Sequence, residues 1–263
     1  MFKLLLLAAL TATPALAQSQ DDLLDAALLP GWQMQNGNRM AALHLTLAPH
    51  WKTYWRVPGE AGIPPEFNWS GSQNLRGVTL HWPSPEVITL NGMQSIGYHD
   101  ELVLPLEITP KDPSQPVTLR LQMRLGICED ICLPADLTLS ASLTGAGAPT
   151  PAIAQALTRQ PLAAAEAGVS KVSCTVDPIE DGLRVQAHMV MPRQGRPETV
   201  VFEVTDPSVW VAEAEESRTG SVLTGAADFV PHAAGPFLLN RSAVTITVIG
   251  QGRSVEIKGC PAP

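Results

Sequence analysis

Beyond its N-terminus, the sequence has no apolar run near the roughly 20 residues that a membrane-spanning helix needs. Basic residues are few, with 17 Lys and Arg against 25 Asp and Glu and no clustered basic stripe. No glycine-rich phosphate loop is present, and the 263 residues contain only four cysteines. These absences argue against a membrane-spanning protein and against nucleic acid as a partner.

The N-terminal segment MFKLLLLAALTATPALA is typical of a secretory signal peptide. Lys3 precedes a short apolar stretch, which ends in small residues at Ala17. We therefore expect export with cleavage after Ala17. We expect no lipid anchor, because the residue directly after the cleavage site is not a cysteine. Cysteines of an exported protein are expected to be oxidised or redox-active.

Most of the remaining sequence consists of short segments in which apolar and polar residues alternate. Between residues 117 and 127, for example, Leu119 and Leu121 alternate with polar neighbours, the period of a half-buried strand. Proline and glycine occupy the gaps between such segments. The pattern predicts an all-β fold built from β-sandwich domains.

A change in composition predicts where the domains divide, because Ala, Pro and Gly dominate between residues 144 and 168. One run there, Pro151–Arg159, is helix-capable. We predict five segments: a signal peptide (1–17), a lead-in with about one helical turn (18–30), a first β-sandwich (31–146), an Ala/Pro-rich linker (147–168) and a second, smaller all-β domain (169–263).

The four cysteines suggest two pairs with different roles. Joining Cys174 to Cys260 closes a loop of more than 80 residues, which stabilises a fold by roughly 4–5 kcal/mol in the chain-entropy model. Joining Cys128 to Cys132 encloses three residues and gives about 2 kcal/mol by the same formula. We therefore predict a structural Cys174–Cys260 disulfide and a short-loop pair that contributes little as a cross-link.

The short-loop pair is expected at a hairpin tip, where two sulfurs can meet. Exposed short-loop disulfides tend to be labile, whereas Glu129 and Asp130 would disfavour a thiolate if they point inward. From the spacing alone, a plain hairpin disulfide is as good an interpretation as a working dithiol.

A metal site is a weaker interpretation of the same region. The spacing of Cys128 and Cys132 lacks a second ligand pair for zinc. Histidines and a methionine of the same domain could contribute to a copper site with thiol ligands: His44, His50, His81, His99 and Met93. Histidines scattered beside strands are more often surface or core residues, and we predict no metal and no cofactor.

Four segments in a fixed order resemble the N-terminal periplasmic domain of the DsbD family of membrane protein-disulfide reductases, including its ScsB-like branch. The resemblance covers about residues 31–143 and rests on HWKTYWRVPGEAGIPPEFNW (50–69), WPSPE (82–86), GYHDELVLPLEI (97–108) and CEDICLPAD (128–136). It implies an immunoglobulin-like sandwich that passes electrons by thiol–disulfide exchange. The implied partners are a membrane-embedded thiol reductase and periplasmic thioredoxin-fold proteins.

The resemblance also implies roles for individual residues. Cys132 matches the cysteine that forms mixed disulfides, and Cys128 matches the resolving thiol. The loop LNGMQSIGY (90–98) matches a cap over the disulfide, with Met93, Ile96 and Tyr98 as its apolar residues. This loop lacks the acidic and aromatic residues frequent in the family cap, which implies looser shielding.

Neither a membrane section nor a thioredoxin-like C-x-x-C segment is found in the sequence, so we expect a stand-alone electron shuttle. Two alternatives remain: a non-catalytic β-sandwich scaffold with two structural disulfides, and an ScsB-like copper-handling protein. The clustered tryptophans are expected to pack in the core: Trp51, Trp55, Trp69 and Trp82.

Overall fold

The computed structural model describes residues 20–90, 92–233 and 238–263. The predicted signal peptide lies outside the described residues. The first domain starts with one helical turn and continues through ten strands: α1 (Gln20–Leu23), β1 (Leu24–Gln33), β2 (Arg39–Leu47), β3 (Lys52–Tyr54), β4 (Glu66–Asn68), β5 (Leu75–Leu80), β6 (Glu86–Leu90), β7 (Met93–His99), β8 (Glu101–Pro110), β9 (Val117–Cys128) and β10 (Cys132–Leu143).

Two sheets face each other across the first core. One sheet has the order β1-β2-β8-β5, and the other has the order β10-β9-β3-β7-β6 with β4 paired to β9. Strand β9 alternates between buried and exposed positions along most of its length, as the period of its sequence predicts. Its inward leucines are fully buried, as at Leu119, Leu121 and Leu125, so the alternation directs one face of the strand into the core.

The second domain follows a short helix and also contains two sheets, with the orders β11-β19-β18-β14 and β12-β13-β17-β15. Strand β16 pairs with β17. The elements are: α2 (Pro151–Thr158), β11 (Leu162–Ala163), β12 (Lys171–Pro178), β13 (Leu183–Val190), β14 (Thr199–Glu203), β15 (Val209–Val211), β16 (Glu215–Thr219), β17 (Val222–Pro231), a 3-10 turn (Arg241–Ala243), β18 (Thr245–Ile249) and β19 (Ser254–Lys258).

The predicted all-β fold of two sandwiches is confirmed. The structure describes the predicted lead-in and the predicted linker in more detail. Strand β1 begins at Leu24, inside the predicted lead-in, because Leu24 and Leu28 are buried in the first core. The predicted linker is ordered: Ile153 of α2 is fully buried beside Met40 and Ala42. Burial of these apolar side chains holds both segments against the first domain, although their composition alone indicates connecting segments.

The two domains share an interface that contains both apolar and charged groups. Val201 and Ile249 of the second domain are buried in the core cluster of the first. Beside them, the guanidinium of Arg56 donates from Nε and Nη2 to Glu203, at 2.7 and 2.8 Å, and from Nη2 to Glu256 at 2.8 Å. This three-residue cluster, here called the Arg56 clasp, joins the segment directly after β3 to β14 and β19.

The tryptophans pack as predicted. Trp51, Trp55 and Trp82 are buried, and Trp69 packs against the same core in a half-buried position. The ring of Trp82 stacks on Tyr98, with 6.3 Å between the ring centroids. The cluster therefore braces the long connections of the first domain.

Candidate functional site

Cys128 and Cys132 face each other at one end of the first domain. Cys128 is the last residue of β9 and Cys132 is the first residue of β10, and the two are register partners. They form a disulfide with 4.2 Å between their Cα atoms. The predicted hairpin-tip position is confirmed, because the register of β9 and β10 continues to the last residue before the turn.

The two cysteine residues differ in their exposure to solvent. Cys128 is only 1% exposed, whereas Cys132 is an exposed residue. Ile131 and Leu133, which flank Cys132, are 71% and 38% exposed. Cys132 is therefore flanked by exposed apolar side chains, whereas Cys128 is buried.

Tyr54 of β3 brings a phenol to both sulfurs. Its Oη donates a hydrogen bond to Cys128 Sγ at 2.7 Å and lies 3.2 Å from Cys132 Sγ. Burial raises the pKa of the Tyr54 phenol above its usual value, so the group is protonated at neutral pH and serves as a donor. When the disulfide opens, this O–H can stabilise a thiolate on Cys128, since hydrogen bonds to charged acceptors are the stronger ones.

Strand β3 is held tightly enough to fix the phenol. Thr53 Oγ1 donates to the backbone carbonyl of Gly126 at 3.0 Å. A Cβ on Gly126 would lie 3.0 Å from the Tyr54 ring and 2.7 Å from the Cβ of Ile63. A Cβ on Gly97 of β7 would lie 2.0 Å from the Thr53 carbonyl oxygen. Glycine at both positions therefore allows β3 to lie close to its two neighbours.

A cation and two carboxylates lie close to the two cysteines in the strand register or in the sequence. Lys52 of β3 pairs directly with Cys128, and the lysine is only 6% exposed. Side chains paired in this way have Cβ atoms about 4.5–5.5 Å apart and share one face of the sheet. Glu129 and Asp130 of the turn are both exposed.

The residues predicted for the cap occupy two different environments. Met93 is the first residue of β7, beside the hairpin turn from β6, and is 52% exposed. Ile96 and Tyr98 are buried in the core at 2% and 7% exposure, and Tyr98 Oη donates to the carbonyl of Pro83 at 2.8 Å. The side chains of Ile96 and Tyr98 fill the core, and Met93 is the exposed residue of the three.

The second cysteine pair is buried in the core of the second domain. Cys174 and Cys260 are 0% and 1% exposed and form a disulfide across a sequence separation of 86 residues. Arg241 donates from Nη1 to both of their backbone carbonyls, at 2.9 and 3.3 Å. Unlike Cys132, which is exposed, both residues of this pair are buried.

The histidines considered for copper do not converge on the dithiol. His44, His81 and His99 each contact a different carboxylate, those of Glu101, Glu107 and Glu86 respectively. Within the described ranges, no group of three or more His, Cys, Asp or Glu is arranged to hold a metal ion. No observation in this part of the chain therefore favours the copper alternative.

Tyr54 is the site residue that the sequence analysis did not identify. The chain contains only two tyrosines, and both lie in segments quoted for the family resemblance. Tyr54 is more than 70 residues away in the sequence from the cysteines that it contacts. Rarity is thus the one signal that could have drawn attention to it, and the contact itself depends on the register of β3 with β9.

Comparisons with known proteins find a family model that is similar to the first domain. Residues 25–143 match the family model described as thiol:disulfide interchange protein DsbD, N-terminal. The whole chain resembles the crystal structure of the N-terminal periplasmic domain of ScsB from Proteus mirabilis, with a TM-score of 0.69 and 23% identity over 94% of this chain and 96% of that chain. Comparison with curated proteins gives no sequence match. In the described part of the chain, no helix has the length and apolar character needed to span a membrane.

Proposed function

Because residues 25–143 match the family model of the DsbD N-terminal, thiol:disulfide interchange domain, we propose that Cys128 and Cys132 exchange electrons with redox partners. The observation that carries the proposal is the arrangement of the pair: an exposed Cys132 bonded to a buried Cys128 that accepts a hydrogen bond from Tyr54. A purely structural hairpin disulfide requires neither the exposed sulfur nor the phenol.

The proposed exchange proceeds in two displacements. A partner thiolate attacks Cys132 Sγ, the disulfide breaks, and its electron pair passes to Cys128 Sγ beside the Tyr54 hydroxyl. A second thiolate of the same partner then attacks the partner sulfur of the mixed disulfide, which forms the partner's disulfide and releases Cys132 as a thiolate. The protein gains two electrons, and protonation of the thiolates by solvent completes the dithiol.

The reverse sequence passes the electrons on. The Cys132 thiolate attacks the disulfide of an oxidised partner, and the Cys128 thiolate then resolves the mixed disulfide by attacking Cys132 Sγ. In both directions Cys132 is the cysteine that bonds to partners and Cys128 is the resolving cysteine. The solvent exposure of the two residues supports this assignment.

The proposed setting is the periplasm, after cleavage of the signal peptide behind Ala17. The N-terminal sequence supports it, and so does the fold shared with a domain described as periplasmic. The proposed partners are a membrane-embedded thiol reductase as electron donor and thioredoxin-fold proteins as acceptors. The exposed apolar side chains of Ile131 and Leu133 suit transient docking of such proteins.

A redox titration followed by thiol labelling and mass mapping tests the proposal, with Cys174–Cys260 as an internal control. We expect Cys128–Cys132 to open under mild dithiothreitol while the buried pair persists. Structural disulfides of exported proteins have potentials below about −300 mV. If both pairs titrate together below about that value, the Cys128–Cys132 disulfide is structural and the scaffold alternative is correct.

A further inference from the structure

A cavity is present at the far end of the first domain, away from the dithiol. This cavity of about 350 Å³ lies between the ends of β1 and β10, and its lining includes Trp32, Arg39 and Thr144. Strand β10 has 12 residues and begins at Cys132, so its other end lies about 36 Å along the strand from the dithiol. The cavity is therefore separate from the thiol chemistry.

Arg39 is a buried cation that has no carboxylate within ion-pair distance among the described residues. The residue is 6% exposed, and its Nη1 donates to the carbonyl of Gly145 at 2.7 Å. Its Nε is shielded from solvent and has no hydrogen-bond partner. Among the carboxylates whose positions are described, none forms an ion pair with Arg39. A guanidinium stays charged in proteins, and a buried charge that lacks a partner is costly.

The rest of the lining combines apolar walls with neutral polar groups. Trp32, Met40 and Leu143 supply apolar surface, and Ser142 and Thr144 supply hydroxyls. No acidic side chain lines the cavity, so its local charge is positive. Guanidinium groups bind planar carboxylates preferentially, through paired hydrogen bonds.

We propose that this cavity binds a carboxylate carried on a small apolar body, with Arg39 as the charged partner of the carboxylate. The apolar body would lie against Trp32 and Met40. Such a ligand could be a free organic acid or the C-terminus of a peptide, since both present the same group. The competing explanation is that Arg39 only ties the segment after β10 to β2 through Gly145.

The proposal is tested with the full chain and two probes that differ only in charge, N-acetyl-leucine and N-acetyl-leucinamide, at pH 7. Binding is followed by the side-chain Nε–H resonance of Arg39 and by calorimetry. We expect the acid to shift the resonance in a saturable manner and the amide to leave it unchanged. Equal binding of both probes, or of neither, would overturn the proposal without any variant having to fold.

Variants then assign the charge recognition to one residue. Arg39→Lys keeps the charge but loses the planar fork, and we expect it to weaken binding of the acid roughly tenfold or more. Arg76→Lys, a change at an exposed arginine of the same domain, is the matched control and should bind as the wild type does. Unchanged binding by a folded Arg39→Lys protein would mean that Arg39 is only a structural tie.

A third probe distinguishes the two sources of the carboxylate. If acetyl-Ala-Ala-Leu with a free C-terminus binds more tightly than N-acetyl-leucine, the site takes the end of a peptide chain. If the longer probe binds more weakly, it takes a small free acid. Either result supports carboxylate recognition at Arg39, and a failure of both acids overturns it.

Discussion

The Arg56 clasp allows a quantitative prediction about how the two domains are joined. The side chains of Arg56, Glu203 and Glu256 are 25%, 19% and 24% exposed. Burial alone would lower the pKa of Arg56, but the hydrogen bonds and charges of the two glutamates raise it overall. The replacement Arg56→Met keeps much of the side-chain volume and leaves the two carboxylates facing each other without the cation between them.

The expected loss follows from the geometry. Removing one partner of a buried ion pair costs about 3–5 kcal/mol, and the partial exposure of this cluster reduces the expected loss in the free energy of unfolding to about 2–4 kcal/mol. Lys258 still contacts Glu256 at 2.8 Å, which compensates one carboxylate in part. The charge neutralisation Glu203→Gln in the Arg56→Met background should recover part of the loss, because the uncompensated charge is then removed.

Urea unfolding of the wild type, the two single variants and the double variant measures this coupling. Arg184→Met is the matched control: its guanidinium makes equally short bonds to Asp228, at 2.7 and 2.8 Å, but within the second domain and at an exposed position. We expect a much smaller change there, because exposed ion pairs contribute little. A loss below about 1 kcal/mol for Arg56→Met, or no recovery in the double variant, would refute the reasoning.

The clasp should also depend on pH in a defined direction. Burial alone would raise the pKa of Glu256, but the hydrogen bond from Lys258 and the charge of Arg56 lower it below its ordinary value of 4.5. A carboxyl whose pKa is lower in the folded state stabilises the protein above its unfolded pKa, and this stabilisation is lost as the pH falls through the folded pKa. The difference between wild type and Arg56→Met should therefore shrink below pH 4.5 and remain constant at neutral pH.

Three further predictions concern single side chains. Tyr54→Phe keeps the ring but removes the hydrogen-bond donor to Cys128. Because hydrogen bonds to charged groups contribute about 1.5–3 kcal/mol, reduction of the disulfide by glutathione should slow by roughly tenfold or more. An unchanged rate would contradict the proposed role of the phenol. Met93→Ala should leave the melting temperature unchanged, since Met93 is exposed, but should speed reduction by small thiols if this residue shields the disulfide; equal rates would remove Met93 from the cap. Burial and, second, the charge of Glu60 raise the pKa of Glu213. The stabilising contribution of Glu213 is therefore present below pH 4.5 and is lost as the pH rises through the raised pKa. In thermal melts, Glu213→Gln should be more stable than the wild type at pH 7, and the difference should vanish below pH 4.5.

The regular strands and the position of the dithiol could be predicted from the sequence because both depend on local patterns. The alternation around Leu119 and Leu121 appears as the buried face of β9. The short spacing of Cys128 and Cys132 places them at a hairpin tip, where register is determined by their immediate neighbours.

Contacts over long sequence separations could not be predicted in the same way. Tyr54 reaches the sulfurs because β3 pairs with β9, and Arg56 reaches Glu203 because the two domains dock, which no local period specifies. The environment of the predicted cap residues also depends on such contacts. Ile96 and Tyr98 lie in a segment that resembles a loop motif, but in this chain they are strand residues whose side chains complete the core.

The central claim is that Cys132 bonds to partners and Cys128 resolves, and single-cysteine variants test it most directly. Cys128→Ala and Cys132→Ala would each be mixed, in reduced form, with a thioredoxin-fold protein whose one active-site cysteine is activated as a thionitrobenzoate mixed disulfide. Release of the coloured thiolate gives the rate, and mass spectrometry identifies the covalent complex. Because access to the attacking sulfur helps to set the rate of exchange, we predict rapid complex formation through Cys132 in Cys128→Ala and little through the buried Cys128 in Cys132→Ala. Equal rates in the two variants, or no complex with either, would contradict the account.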